Sequence, residues 1–336
     1  MAPIVMWIGL GSLGKAACGR LASHGSLDLP LILYNRTTQK CHDLTSSLPP
    51  GSTKIALSLK AGISEADIIF SCLSNDAAVV STYHAIISDS ATADKPNRLR
   101  GKLFIATETV HPDTADTLAD RLAAHGADFL ACPVLGPPAA AAAGQLIAFP
   151  AGPAAALSRA APYITGSGDN NVGGALSRAA IAFPDQPCGA GLRMKIIANT
   201  FTLNAACQLA EAFTLAEKAG VGAAAVGEFV ELCLVGGPPA TNPFHVYAGR
   251  MLRGDYWRGG EEGPAGGVAL GVKDLGLAAR LAEETGATVR NPLVALGWCR
   301  DVLEGEGRGR GELRGDISGI YGAVREKAGL RFENDG

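Results

Sequence analysis

Short apolar runs alternate with amphipathic segments along the first half of the chain. The runs have the length of buried strands and lie at residues 4–8, 31–34, 68–73, 103–106 and 129–130. Segments of helical composition separate them, at residues 15–24, 77–87 and 113–125. Apolar strands that alternate with helices are typical of a parallel sheet covered on both faces. The pattern therefore predicts an α/β fold built on a doubly wound sheet.

The pattern changes after Gly189. Residues 192–219 carry apolar side chains at three- and four-residue spacings without an internal Pro or Gly, which predicts one long, largely buried helix. Another helix-forming segment begins near Val272, after a Gly-rich stretch at 259–267 that we interpret as a mobile loop. Residues 166–171, rich in Gly, Asp and Asn, predict a surface insertion. We predict a doubly wound domain over 1–188 and an all-α domain over 189–330, with the long helix between them.

The stretch at residues 129–158 contains no charged side chain and is long enough to span a bilayer. Five prolines interrupt it, and glycines lie between them. Because proline breaks a helix interior, we interpret this stretch as strands and turns.

Composition and charge narrow the classes of partner. The chain has 336 residues, 29 basic and 32 acidic, with a formal charge of −3. This balance gives no field that would attract nucleic acid or an anionic membrane, so neither is expected as a partner. The eight cysteines form no Cys-x-x-Cys pair or Cys/His cluster of zinc-ligand spacing, so no metal is expected. The first residues lack the features of a secretory signal, and together these observations favour a reducing, cytoplasmic location.

A glycine motif follows the first predicted strand and opens a helix. It reads Gly9-Leu10-Gly11-Ser12-Leu13-Gly14 and has the Gly-x-Gly-x-x-Gly spacing of dinucleotide-binding turns. The first glycine allows the tight turn, the second lets the backbone approach a pyrophosphate, and the third lets helix and strand pack closely. The motif predicts a Rossmann fold with a dinucleotide site, and an ordinary glycine turn is the alternative.

The end of the second predicted strand indicates which dinucleotide binds. NAD enzymes usually place an acidic residue there to hold the ribose 2′-hydroxyl, but this chain has Asn35, Arg36 and Thr37. Arg36 can pair with a 2′-phosphate, and its neighbours can donate hydrogen bonds. The sequence therefore predicts NADP (NADPH) as cofactor, unless Arg36 is only a solvated loop residue.

A second set of cofactor contacts is expected where two later strands end. Ligands of open α/β sheets bind at the carboxyl ends of the strands, so the backbone after residue 71 is expected to line the cofactor. We expect Asp76 to cap the next helix. The candidate cofactor contacts of this region are Leu73, Ser74, Asn75, Val79 and Thr107.

Four ordered segments carry a resemblance to a known family. Besides the glycine turn, they are residues 106–114, residues 131–136 and the segment Gly189-Ala190-Gly191-Leu192-Arg193-Met194-Lys195-Ile196-Ile197-Ala198-Asn199, followed by Lys273-Asp274-Leu275. In this order they resemble the β-hydroxyacid dehydrogenases, the family of 3-hydroxyisobutyrate and 6-phosphogluconate dehydrogenases. The resemblance implies hydride transfer between NADP(H) and a small alcohol/aldehyde or hydroxyacid/semialdehyde pair, and a homodimer formed through the helical domain. It also implies that Lys195 is the catalytic acid/base, that Asn199 binds substrate and supports the catalytic geometry, and that Lys273 lies near substrate and nicotinamide.

The residues themselves agree with this chemistry. Lys195 and Asn199 are four apart and so share one face of a helix. Reduction of a carbonyl needs a proton for the nascent alkoxide, and an ammonium group can supply it while stabilising the developing charge. A surface lysine whose amine reaches water is the alternative interpretation.

The chain departs from the family where substrate is expected to bind. The family's Ser-Thr pair before a proline is replaced by Glu108 and Thr109, and its Ser-Gly-Gly becomes Leu135, Gly136 and a proline. We keep Glu108, Thr109, Leu135 and Gly136 as candidate substrate contacts. Leu135 offers no donor, and a charged Glu108 is expected to repel a carboxylate. Two other functions therefore stay open: an imine reductase-like enzyme, and an NADP-binding scaffold without turnover.

Overall fold

The computed structural model describes residues 2–25, 27–90, 98–165, 176–235, 247, 250–254, 267–304 and 315–333. The predicted insertion at 166–171 and all but the last residue of the Gly-rich stretch at 259–267 lie outside this part of the chain. Two compact units divide the protein, Met1–Phe201 and Thr202–Gly336.

The first unit is built on one eight-stranded sheet. Six of its strands are parallel and follow the order β3-β2-β1-β4-β5-β6. These strands are β1 Val5–Ile8, β2 Leu31–Tyr34, β3 Thr53–Ile55, β4 Ile68–Ser71, β5 Leu103–Ala106 and β6 Asp128–Ala131. The short strands β9 (Ala151–Gly152) and β11 (Phe183–Pro184) extend the sheet beyond β6, with β9 antiparallel to β6. The α/β doubly wound Rossmann sheet predicted from the sequence is confirmed.

Helices cover both faces of this sheet. They are α1 Ser12–His24, α2 Gln39–Ser46, α3 Leu59–Glu65, α4 Asp76–Ser90, α5 Pro112–Ala123, α6 Pro138–Ala142 and α7 Ala154–Ile164. Successive residues of β1 point to opposite faces, so Met6 belongs to one apolar core and Trp7 to the other. Both side chains are fully buried.

The uncharged stretch at 129–158 was only partly predicted correctly. It contains strands, including β7 (Val134–Leu135) and β8 (Leu146–Ala148), which form a second sheet with β10 (Ser177–Ala180). It also contains all of α6 and the start of α7, although only strands and turns were expected. Proline is compatible with the start of a helix, where no intrahelical N–H bond is lost, and Pro138 is at that position in α6.

The long helix α8, Gly189–Lys218, crosses the division between the units. Its existence was predicted, but its burial was overestimated. Among its described side chains, the buried positions are Gly189, Gly191, Leu192, Lys195 and Ala216, whereas Ile197 and Phe201 are 52% and 62% exposed. Apolar spacing reports that a helix has an apolar face, and in this chain part of that face is exposed to solvent.

The described elements of the second unit are helical apart from one isolated bridge, Gly267 to Asp316. They comprise α9 Ala223–Val230, a π-helical turn Glu231–Val235, α10 Val268–Thr285, α11 Asn291–Glu304, a 3₁₀ turn Ile317–Gly319 and α12 Ile320–Lys327. Within the residues that the structure describes, no helix is both long and apolar enough to cross a membrane.

Candidate active site

The glycine turn between β1 and α1 has a backbone that only glycine accommodates. Gly9 has φ +97°, and its amide donates to the Tyr34 carbonyl at 3.0 Å. A Cβ at Gly9 would overlap the Cys72 carbonyl oxygen, and one at Gly14 would overlap the Gly9 carbonyl oxygen. The Gly9 oxygen also accepts a hydrogen bond from the indole of Trp7 at 2.9 Å. Trp7 thus fixes the turn from inside the core, a contact that the glycine spacing does not reveal.

The N-terminus of α1 fits the phosphates of a dinucleotide. Gly11 is the N-cap and, having no side chain, leaves the first amides of the helix uncapped. A Cβ built on Gly11 meets no atom within 4 Å, so the space above it is open. The first turn carries no acidic side chain, and exposed Ser12 and half-buried Leu13 follow. Free amides at the positive end of a helix favour an anion.

The end of β2 holds the candidate 2′-phosphate residues. Arg36 and Thr37 are exposed, and the Arg36 guanidinium belongs to the protein surface. Asn35 has a structural role besides the expected one, because each end of its side-chain amide makes a hydrogen bond within the protein. Its Oδ1 accepts from the Leu10 amide at 2.9 Å, and its Nδ2 donates to the Thr37 carbonyl at 3.0 Å. Asn35 therefore ties the glycine turn to the end of β2.

The loop after β4 consists of Leu73, Ser74 and Asn75 and is called the 73–75 loop below. Leu73 is half-buried, and the other two residues are exposed at the carboxyl end of the strand. Val79 follows in α4, but it is 1% exposed and packs in the apolar core, so it supports the loop from below instead of facing a ligand.

The start of α4 corrects the expectation for Asp76. The helix is capped by Asn75, whose Oδ1 accepts from the Ala78 amide at 2.9 Å. The Asp76 carboxylate instead accepts from the Thr114 hydroxyl at 2.7 Å and the His111 amide at 3.0 Å. These two bonds, in that order, lower the pKa of Asp76. Asp76 thereby connects α4 to the start of α5.

Two candidate contacts at the end of β5 are directed into the protein. The Thr107 hydroxyl donates to the Ser71 carbonyl at 2.7 Å, so it holds β5 to β4. Glu108 is 5% exposed; its Oε1 accepts from the Ser71 hydroxyl at 2.9 Å and its Oε2 from the Leu73 amide at 3.3 Å. Burial raises the pKa of the Glu108 carboxyl to about 7, against the lowering effect of its hydrogen bonds. The expectation that this carboxylate faces a substrate is not supported by its geometry.

The remaining candidate substrate contacts are Thr109, Leu135, Gly136 and Lys273. Thr109 is exposed. Leu135 is half-buried in β7, opposite Ile147, and Gly136 has φ +142°, where a Cβ would lie 2.7 Å from the Leu146 side chain. Lys273 belongs to α10, but its side chain lies outside the described part of the structure.

The start of α8 is held tightly against the first unit. The Gly189 amide donates to Asp116 Oδ1 at 2.7 Å, and a Cβ at Gly191 would overlap the Phe149 carbonyl oxygen. Leu192 packs in the same apolar core as Ala106 and Ala131, the last residues of β5 and β6. The first turn of α8 therefore lies at the carboxyl edge of the sheet, where the glycine turn and the 73–75 loop also lie.

Lys195 follows one turn later and is buried. It is 6% exposed, and its Nζ donates to Asn199 Oδ1 at 2.7 Å. Burial lowers the pKa of Lys195. The structure thus brings the two predicted catalytic residues into contact, as their spacing indicated. An amine held in this way is not the surface lysine of the alternative interpretation.

Comparison with known proteins points to dinucleotide-binding oxidoreductases. Residues 4–174 match the family model described as the NAD binding domain of 6-phosphogluconate dehydrogenase. The chain is 31% identical over 320 residues to the NADH-dependent oxidoreductase ucdB of Aspergillus ustus, covering 95% of this chain and 98% of that protein. It is 32% identical over 234 residues to 3-hydroxyisobutyrate dehydrogenase of Pseudomonas aeruginosa, covering 68% and 72%.

A solved structure shares the fold at low identity. The reductive aminase from Aspergillus terreus in complex with NADPH and ethyl levulinate is similar with a TM-score of 0.70 and 18% identity, over 97% of this chain and 100% of that chain. Fold, glycine turn and family model together define a Rossmann-type nicotinamide-dinucleotide-binding protein. The chain belongs to the β-hydroxyacid dehydrogenase family and is an NAD(P)-dependent oxidoreductase.

Proposed function

We propose that this protein is an NADP(H)-dependent dehydrogenase/reductase that interconverts a small alcohol or hydroxyacid with its aldehyde or semialdehyde, with Lys195 as general acid and base. The observation that carries the proposal is the buried Lys195 amine, 2.7 Å from Asn199 Oδ1, on the helix that begins at the carboxyl edge of the sheet. A buried lysine of lowered pKa at such an edge is typical of a catalytic group.

The proposed chemistry separates hydride and proton. The nicotinamide, when bound, supplies or accepts the hydride. Lys195 in its ammonium form donates a proton to the substrate oxygen during reduction, and as neutral amine it accepts that proton during oxidation. Asn199 orients the amine through its side-chain oxygen. Because burial lowers the pKa of Lys195, oxidation should speed up and reduction should slow down as pH rises through that pKa.

The preference for NADP(H) rests on Arg36. It is the exposed cation at the end of β2, where a 2′-phosphate would lie, and no carboxylate takes the place that a ribose 2′-hydroxyl requires. The relative from Aspergillus ustus is named NADH-dependent, and NADH is therefore the competing cofactor.

The burial of Glu108 simplifies the choice of substrate. A carboxylate whose two oxygens accept from Ser71 and Leu73 inside the sheet is directed away from direct pairing with a substrate, so it neither favours a cationic imine nor excludes a hydroxyacid by contact. Lys195 favours carbonyl chemistry. Reductive amination or imine reduction is kept as second candidate, because the reductive aminase shares the fold over 97% of this chain.

The oligomeric state stays a proposal as well. Ile197 and Phe201 are more than half exposed on α8, and an apolar strip of this kind supports the expected homodimer. Cytoplasmic location remains an expectation from the sequence.

Replacing Lys195 tests the catalytic assignment. Lys195→Met keeps the apolar stem and removes the amine; we expect kcat for the best carbonyl substrate to fall at least about a hundredfold, since general acid catalysis contributes about 10²–10⁴. NADPH affinity, measured by fluorescence titration, should change little. Lys218→Met, at the exposed end of the same helix, is the matched control and should retain full turnover.

A substrate screen separates the candidate functions. NADPH and NADH oxidation would be followed with semialdehydes, 2-keto aldehydes and cyclic imines. Turnover of aldehydes that is lost in Lys195→Met supports the proposal. Turnover of imines alone supports the second candidate, and cofactor binding without turnover of any compound supports the scaffold interpretation and overturns the enzyme.

A further inference from the structure

Glu108 is a buried acidic residue that the proposed chemistry does not use. It lies two residues beyond the end of β5, and its two carboxyl oxygens have separate partners on the neighbouring strand and loop. Oε1 accepts from the hydroxyl of Ser71, the last residue of β4, and Oε2 accepts from the amide of Leu73, the first residue of the 73–75 loop. One carboxylate therefore bonds both the last residue of β4 and the first residue of the loop that follows it.

A third group completes this arrangement. The hydroxyl of Tyr83, a fully buried residue of α4, lies 3.0 Å from the Ser71 hydroxyl. When Ser71 donates to Glu108, its oxygen is free to accept the Tyr83 proton, so the hydrogen bonds run from Tyr83 through Ser71 to the carboxylate. The rings of Phe104 and Phe129 pack against Tyr83 and hold it in place. The hydrogen bonds thus run from a tyrosine packed between two aromatic rings to the amide of the loop.

We propose that the ionised carboxylate of Glu108 is a positioning residue that fixes the 73–75 loop for dinucleotide binding, and that its protonation loosens this loop. The proposal rests on the proposed function, because it takes the loop as part of the cofactor site. An ionised carboxylate accepts at both oxygens, whereas the acid form must donate from one of them. The longer bond, 3.3 Å from the Leu73 amide, is the one that protonation gives up most easily.

The surroundings of Glu108 allow this change near neutral pH. Burial raises its pKa to about 7. Among the described residues, the charge of Glu108 raises the pKa of two titratable side chains, Cys72 just after β4 and Tyr83 on α4. Burial, and after it the charge of Glu108, raises the pKa of Cys72 to about 11 and that of Tyr83 still further, so both are neutral when Glu108 titrates. Loop and cofactor affinity should therefore respond to a single ionisation.

The test is the pH dependence of cofactor affinity. Dissociation constants of NADPH and NADH would be measured by fluorescence between pH 5.5 and 8.5 for the full chain and three variants. For the unmodified protein we expect the affinity to weaken about fivefold as the pH falls below a midpoint near pH 7. A fivefold change corresponds to the loss of about one hydrogen bond. Glu108→Gln keeps the shape but cannot ionise; it should bind about fivefold more weakly at pH 8 and show no such midpoint.

Two further variants separate positioning from general damage. Tyr83→Phe keeps the buried ring and removes the hydroxyl that supports the Ser71–Glu108 bond, so the midpoint should move to higher pH. Glu65→Gln is the matched control, an exposed glutamate of the same unit paired with Lys54, and should reproduce the unmodified curve. Since the titration of the cofactor itself is common to all four proteins, the difference between them reports Glu108.

The outcomes are distinct. If the unmodified protein binds neither cofactor, the proposed function fails and this inference fails with it. If it binds and Glu108→Gln gives the same affinity and pH profile, only the positioning role is overturned. If Glu108→Gln binds more tightly at pH 8, the carboxylate opposes the anionic cofactor and the inference is wrong in sign. Thermal unfolding of each variant establishes that it is folded before binding is compared.

Discussion

Glu108 and Lys195 are two buried ionisable side chains, and burial acts on them in opposite directions. Removal from water penalises the charged form of each group, so the pKa of the Glu108 carboxyl rises to about 7 and the pKa of the Lys195 amine falls. Both shifts bring the pKa of the group closer to neutral pH. We infer that one acts on the substrate and the other on the backbone of the 73–75 loop.

Arg36 is the residue on which cofactor choice should depend. If its guanidinium pairs with the 2′-phosphate, Arg36→Ala removes a charge-assisted hydrogen bond of about 2 kcal/mol and should raise the KM for NADPH about thirtyfold. The KM for NADH, which has no 2′-phosphate, should stay the same and serves as internal control. Equal KM values for the two cofactors in the unmodified protein would contradict the assignment.

Residue spacing predicted some of the site and could not predict the rest. Lys195 and Asn199 were identified correctly as neighbours because four residues make about one helical turn. The amide of Asn35 and the carboxyl of Glu108 were assigned to ligands, yet they bind Leu10, Ser71 and Leu73. Those partners come from other elements, and only the assembled sheet brings them within hydrogen-bond distance.

The start of α8 is the element whose placement matters most for the site. A Cβ at Gly191 would overlap the Phe149 carbonyl, so Gly191→Ala must displace the turn that precedes Lys195. Overpacking of this kind destabilises by about 1–3 kcal/mol, and a shift of about 1 Å at a catalytic group can lower kcat about a hundredfold. We expect both effects, measured by denaturant unfolding and by steady-state kinetics.

Gly297→Ala is the control for that variant. Gly297 is an exposed residue within α11, and a Cβ there meets no atom outside its own helix within 4 Å. Alanine is the better helix former, so this change should stabilise the protein by up to about 1 kcal/mol without altering kcat. Equal loss of kcat in both variants would show that the fit of α8 against Phe149 has no special role.

A buried ion pair holds together part of the second unit. Arg250 lies 2.8 Å from Asp316, which is fully buried and also accepts from the amide and hydroxyl of Ser318. Asp316→Ala removes the shared acceptor and leaves a buried guanidinium, so unfolding free energy should fall by about 3 kcal/mol or more. Asp301→Ala breaks an exposed pair with Lys327 and should cost less than about 1 kcal/mol. Similar losses of unfolding free energy in the two variants would contradict the stronger role of the buried pair.

The elements followed the apolar pattern most closely where they are long or fully buried. The five strands expected at the centre of the sheet and the three helices expected between them, α1, α4 and α5, were confirmed with boundaries shifted by a few residues, whereas α2 and α3 were not predicted. The pattern did not delimit β3, β7, β8, β10 and β11, which are short and only partly buried, or β9, which has two residues. Such strands are stabilised by pairing across the chain, which no local pattern records.

At the scale of the whole molecule, topology gathers the site at one edge. The chain reverses direction across the sheet between β1 and β4, and ligands of open parallel sheets bind at that switch. The glycine turn and the 73–75 loop follow strands that end there, and the start of α8 packs beside the ends of β5 and β6. Motifs separated by more than a hundred residues, which the family resemblance implied belong to one site, therefore lie at the same edge of the sheet.

The free energy of unfolding of the whole chain should depend on pH through the ionisation of Glu108. Its pKa is about 7 in the folded protein against an ordinary 4.5, so between these values the unfolded chain is ionised while the folded one keeps its proton. Stability therefore falls as pH rises through this window, by up to about 3 kcal/mol, and is constant with respect to this group above it.

Glu108→Gln removes this penalty and should raise the free energy of unfolding at pH 8, with a difference from the unmodified protein that shrinks towards pH 5. Denaturant unfolding at several pH values measures it, with Glu65→Gln as the exposed control. A glutamate that served only to stabilise the fold would give the reverse result, a less stable Gln variant at pH 8. Gain of stability together with weaker cofactor binding would instead indicate that the buried charge is kept for the loop it holds.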